Sequence, residues 1–226
     1  MEENAASCFH FNQEASLEDT QPMGVLELIY GILFDPADTF KKVAEAPPLG
    51  LSVLIFSLVN ITVIFMSFLN FFHLLNINLP AGSANLTLAI MLLVVFLGLI
   101  VKLCNWLLST SVFHLLAELL GGRGSVKGLL AIVGLSYLPF IFLAPVELLL
   151  LIWGLKSIVV VIVMILNFLI FIWWLALMVL GVRQEYCFSA GSALAAVFLP
   201  ISPFIFLLIL PAFLITIAVI LISICS

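Results

Sequence analysis

Charge is scarce in this chain. Asp, Glu, Lys and Arg make up 8% of its 226 residues, against about 25% in a soluble globular domain. With 65% hydrophobic residues, the chain cannot dress a soluble surface with polar groups. It therefore reads as an integral membrane protein. Its seven basic residues never stand more than two together, which excludes nucleic acid as a partner. The four cysteines, Cys8, Cys104, Cys187 and Cys225, include no CxxC pair. They are expected as reduced or lipid-buried thiols, without a disulfide framework. Cys8 and His10 alone cannot supply the four ligands of a structural zinc, so no metal is expected. His10, His73 and His114 are scattered along the chain. HExxH, GxSxG, the P-loop and GxGxxG are all missing. An intramembrane protease or lipid transferase needs acidic, Ser/His or metal-binding residues at one depth. No such set is visible, so a non-enzymatic protein without a cofactor is expected.

The acidic residues that do occur are unevenly spread. Nine of the twelve precede Pro47. Residues 1–21 are polar, acidic and poor in aliphatics, as in a disordered cytoplasmic tail. They lack a positive n-region and an early apolar core, so no cleaved signal peptide is expected. Residues 22–34 are apolar but too short to cross a hydrocarbon core of about 30 Å. They read as an interfacial helix. A second short helix is expected over about 36–45, with Asp35 as its cap and Pro36 at its first position. Its Lys41 and Lys42 can reach lipid headgroups.

From here the pattern is an all-α, polytopic transmembrane bundle of five spans, at about 51–75, 86–108, 129–153, 158–180 and 190–222. The second span keeps a helical pattern to about Leu120, long enough to extend past the membrane, and puts His114 and Glu118 on one face. Pro139 and Pro145 are expected to bend the third. Gly191/Ala195 and Ser192/Ala196 form small-xxx-small steps suited to close helix packing. Pro200, Pro203 and Pro211 leave two readings of the last stretch, one kinked span or a re-entrant pair.

Gly121 to Gly128, GGRGSVKG, lies between the second and third spans. Lys and Arg in short loops mark the cytoplasmic side. Lys41, Lys42, Arg123, Lys127 and Arg183 then fall inside, and only Lys156 outside. The N-terminus is expected inside and the C-terminus outside. Arg123 and Lys127, with Lys41 and Lys42, are candidate contacts for anionic lipid or an acidic partner.

Lys102 is expected within the membrane, where a lysine costs about 2.5–3.5 kcal/mol on insertion scales. Asn105 and Ser109 share its helix face, and Asn60 and Asn167 lie at middle depth. Lys102, Asn105, Asn60 and Asn167 are the candidate intramembrane polar site. They could line a cavity for a small solute or serve as interhelical hydrogen bonds. Glu147, near the outer end of the third span, is placed to pair with Lys156.

Three stretches in order resemble the Yip1 family of membrane proteins. LFDPADTFKKVAEAPP is similar to the family's Pro-x-x-Thr-Phe entry. GGRGSVKGLLAIVGLSYLP carries the Gly-Gly-basic-Gly-Ser loop and Ser136-Tyr137-x-Pro139. WWLALMVLGVRQEYCFSAGSALAAV has Trp near the end of span four, Gly181 and a basic residue. The resemblance covers about 22–197 and points to a bacterial member, in the bacterial cytoplasmic membrane. It implies an N-inside, five-helix fold, and no catalytic residues to transfer. Eukaryotic members associate with Rab-type GTPases in trafficking, but their Asp-Leu-Tyr-Gly-Pro stretch has no counterpart here. The domain reading is an acidic tail (1–21), interfacial helices (22–46) and a Yip1-like transmembrane domain (47–226). The expected role is a membrane organiser or partner-binding subunit, with lipids and other membrane or cytoplasmic proteins as partners. The alternative is a small transporter or permease subunit with a polar cavity around Lys102.

Overall fold

The computed structural model describes residues 24–74, 84–154 and 156–199. Regular structure among them is entirely helical. Two short helices come first, α1 (Val25–Phe34) and α2 (Pro36–Glu45). Four helical units long and apolar enough to cross a membrane follow. They are α3 (Leu49–Leu74), α4 (Ala84–Leu119), a broken unit, and α7 (Ser157–Glu185). The broken unit consists of α5 (Val126–Ser136), a 3-10 segment (Leu138–Phe142) and α6 (Leu143–Trp153). A shorter apolar helix, α8 (Ala190–Leu199), opens the expected fifth span. The rest of that span, and the choice between a kinked span and a re-entrant pair, lie outside the described residues.

The four described spans start within three residues of their expected positions. The fourth runs on to Glu185 rather than ending at Leu180. Arg183 and Glu185 therefore sit on a helix, not in a loop. The third breaks once rather than bending twice. Pro139 lies in the 3-10 segment, where its missing N–H removes an α-helical bond. Pro145 is the third residue of α6, inside the first turn, where backbone N–H groups have no partner within the helix. It begins a helix instead of kinking one.

The Pro-x-x-Thr-Phe stretch has a direct packing role. Pro36 stands at the first position of α2, but the Asp35 side chain makes no cap bond. Instead the Asp35 carbonyl accepts from Thr39 Oγ1 at 2.8 Å. A Cβ on Gly31 would overlap the Thr39 hydroxyl, so this glycine lets α1 and α2 touch. Phe40 is fully buried and lies near Gly181, 3.7 Å from where a Cβ there would sit. Leu28, Ile32, Phe40 and Val43 join Ile55, Val59, Ile132, Leu135 and Leu177 in one core. The short helices are thus bolted to the bundle by one face. The opposite face of α1 leaves Leu26, Tyr30 and Phe34 exposed, at i, i+4 and i+8.

A second core joins Phe56, Trp106, Phe113, Ala117, Leu129, Met178 and Val182 with Ala196 and Val197 of α8. Helix α8 packs through Ala193, Ala196 and Val197, all buried. Gly191 and Ala195 are exposed, so the expected Gly191/Ala195 step is not the packing face. The aromatic ladder Phe56, Trp106 and Tyr137 continues to Phe140 and Trp174 at centroid distances of 4.9–6.1 Å. Cys187, expected as a thiol, is disulfide-bonded. It is exposed in the turn after α7.

Truncating Phe40 removes the largest fully buried side chain joining α2 to the bundle. Phe40→Ala is expected to lower stability by about 3–5 kcal/mol. Val25→Ala, at a half-exposed site, is expected to change it by less than about 0.5 kcal/mol. Unfolding midpoints in a detergent titration check both.

Candidate functional site

The basic loop is built from its glycines outward. Helix α4 ends with Gly121 at φ +83°, a left-handed position that favours glycine. Gly121 N–H donates to Glu118 O and Gly122 N–H to Ala117 O, both at 2.9 Å. This is the Schellman pattern, which satisfies two carbonyls the helix end would leave open. Ser125 then caps α5, its Oγ accepting from Gly128 N–H at 2.9 Å.

Two side chains from the end of α7 close over this loop. Glu185, only 8% exposed, receives Ser125 N–H at 2.6 Å and Ser125 Oγ–H at 2.9 Å, both on Oε1. A Cβ on Gly128 would overlap the Glu185 carboxylate, and a Cβ on Gly124 would lie 2.7 Å from the Tyr186 ring. Gly122 lies equally close under Tyr186 and Phe188, whose rings stack at 5.5 Å. These glycines exist because side chains occupy the space a Cβ would need.

The Tyr186 hydroxyl bonds to His114 Nδ1, and His114 Nε2 faces Glu118 Oε1 at 3.2 Å. Burial pushes the Tyr186 phenol up, and the nearby Glu185 and Glu118 charges push it further. It therefore stays protonated near neutrality and can donate to His114 Nδ1. The expected His114/Glu118 surface pair forms, and Tyr186 extends it across to α7.

A helix N-terminus with free N–H groups is a ready anion site. Here the anion is the chain's own Glu185 carboxylate. The loop is thus internally neutralised at α5, while Arg123, Lys127 and Arg183 remain exposed around it. On α2, Lys42 makes an ion pair with Glu27 at 3.8 Å. Both partners are more than 60% exposed, so the pair adds little to stability. Lys41 is half-buried on the same helix.

The intramembrane candidates do not converge. Asn60 is buried and donates to Phe56 O of its own helix at 2.8 Å. Asn167 donates to Val163 O at 2.9 Å. Lys102 and Asn105 lie on the exposed face of α4. Among the described residues, no hydrogen bond joins any two of the four. Glu147 is held by Asn70 of α3, not by Lys156. Asn70 Nδ2 donates to Glu147 Oε2 at 2.7 Å and to Glu147 O at 2.9 Å. The reason is that α6 packs along α3, which turns Glu147 towards Asn70. Among the described residues, no group of three His, Cys, Asp or Glu could hold a metal ion.

Glu185, Tyr186 and Asn70 were not singled out by their positions in the sequence. A run of glycines beside basic residues does hint at close packing. Nothing local says that the packing partner lies 60 residues downstream.

A family model described as Yip1 domain matches residues 30–214. No curated protein and no solved structure matches the chain.

Glu185→Ala strips the acceptor from a loop N–H and is expected to cost about 1–3 kcal/mol. Amides 123–130 should then exchange faster, while Glu185→Gln, which keeps an acceptor oxygen, should exchange near the parent rate. Hydrogen-exchange mass spectrometry separates the two. A second expectation concerns pH. A phenol raised in the fold adds stability that is complete below its unfolded pKa of about 10 and fades at higher pH. The difference in ultraviolet titration between parent and Tyr186→Phe should show one phenol ionising later than free tyrosine.

Proposed function

The chain belongs to the Yip1 domain family, and from that premise we propose that it works without catalysis, as a membrane organiser or partner-binding subunit. Its helices and family make it an integral membrane protein. The working surface is the end of the bundle that carries α1, α2 and the 121–128 loop. One observation carries this reading. Glu185 and Tyr186 hold the loop in a fixed shape without using its basic side chains. Arg123 and Lys127 are left outward, on a preorganised backbone, for anionic lipid headgroups or an acidic protein surface. A rigid loop loses less conformational entropy on binding.

The exposed apolar stripe Leu26, Tyr30 and Phe34 completes the surface. Its aromatic and aliphatic side chains suit the headgroup boundary, where amphipathic helices lie. Lys41 and Lys42 on the adjoining helix add positive charge. Five of the six basic residues other than Lys102 then share one end, and that asymmetry supports a cytoplasmic loop end with the N-terminus inside. A bacterial cytoplasmic membrane and a C-terminus outside belong to the same proposal. The transporter alternative gains less support, because Lys102 and Asn105 face outward from the bundle.

Arg123→Gln/Lys127→Gln tests the reading. The double variant should keep its membrane orientation, because Lys41, Lys42 and Arg183 remain. Proximity labelling from a biotin ligase fused to the N-terminus should lose most of the protein partners seen with the parent chain. Anionic lipid retained by the purified protein should fall as well. If neither the labelled set nor the bound lipid changes, the loop has no contact role.

A further inference from the structure

The exposed face of α4 carries a feature that the loop end does not explain. Lys102 and Asn105 lie on it one turn apart, with Ser109 half-buried a turn further. Ser109 Oγ donates to Asn105 Oδ1 at 3.0 Å. That bond occupies the amide's acceptor and leaves its two N–H donors available beside the Lys102 ammonium. The patch therefore offers donors and positive charge, which together select an anion.

Its depth follows from the neighbours of α4. Trp106 and Ser52 both flank Gly134, and Gly98 lies against Ile64. Lys102 thus stands opposite the stretch of α3 between Ser52 and Ile64. At about 1.5 Å per residue this is about 14 Å from the start of α3. It is close to the middle of a hydrocarbon core of about 30 Å. Lipid phosphates stay at the interface, and the lysine side chain leans towards the N-terminus of its helix, away from the loop end. A headgroup is a poor partner at that level.

The chain's own carboxylates are spoken for. After Glu45 it has three acidic residues, Glu118, Glu147 and Glu185. Glu118 pairs with His114, Glu147 with Asn70 and Glu185 with Ser125. Residues 200–226 contain no Asp or Glu. A second copy would bring the same three, each already engaged. Charges inside a membrane are paired with one another or face water.

We propose that the Lys102/Asn105 face of α4 docks a membrane-spanning helix of another protein, one that carries an aspartate or glutamate near mid-membrane. The exposed Leu97, Val101 and Leu108 provide the apolar border of the contact. This surface is distinct from the loop end, and its test is independent of the double variant above.

The test uses the full chain with a donor dye at its N-terminus, in vesicles of neutral lipid at pH 8. The probe is an acceptor-labelled 24-residue Leu/Ala peptide with one central Glu, compared with the same peptide carrying Leu there. Energy transfer should show the Glu peptide binding about tenfold tighter. Lys102→Leu should erase the difference, Lys102→Arg should keep most of it, and Asn105→Leu should shrink it. Unfolding midpoints confirm that the variants fold. Equal binding of the two peptides, or an unchanged preference in Lys102→Leu, overturns the proposal. So does self-association lost in Lys102→Leu, which would make the face a contact between copies. An Asn105→Cys chain whose native cysteines are replaced by Ser, and which a lipid-soluble maleimide cannot label in peptide-free vesicles, also overturns it, because the chain's own remaining segment would then cover the patch.

Discussion

A single carboxylate sets the geometry of the loop end. Glu185 takes the backbone N–H and the hydroxyl of Ser125 at once. Ser125 is also the cap of α5, so the end of α7 fixes the start of α5. With α5 set, Gly134 meets Trp106 of α4 and Ile132 meets Gly181 of α7. The close contacts of these three helices are thus tied to one acceptor at one helix terminus. Burial of the Glu185 carboxylate carries a desolvation cost, and the two Ser125 bonds at the positive end of a helix dipole offset part of that cost.

The rest of the bundle is governed by the scarcity of polar partners in lipid. Unsatisfied polar groups are expensive there, and the chain solves this locally. Ser52, Asn60, Thr62, Thr110, Ser111, Ser136 and Asn167 each bond to the carbonyl four residues back. Such side chains read as candidate cavity linings in a sequence, yet they need no cavity and no neighbour. Asn70 is different, because it spans two helices to reach Glu147.

The helices themselves were legible because hydrophobic runs of spanning length have few alternative structures. Their ends were legible where charge, glycine or proline marked them, as at Pro36 and at Gly121. The packing faces were not. Gly191 and Ala195 match a known packing step, but α8 turns Ala193, Ala196 and Val197 inward. In lipid both faces of a helix are apolar, so composition does not say which one meets protein. The candidate loop was visible through its basic residues and glycines. Its clamp was not, because hydrogen bonds between distant residues leave no period in the chain. Glu147 stood out as an acid near the outer end of a span, while Asn70 looked like any polar residue near a helix end.

The loop and its clamp are separated by 60 residues, and this has a consequence in time. Synthesis at about 5–20 residues per second leaves about 3–12 s between the two. During that interval the Ser125 N–H and hydroxyl are made before the acceptor that will hold them. What is a structural brace in the finished protein is thus a contact that can close only after α7 is complete.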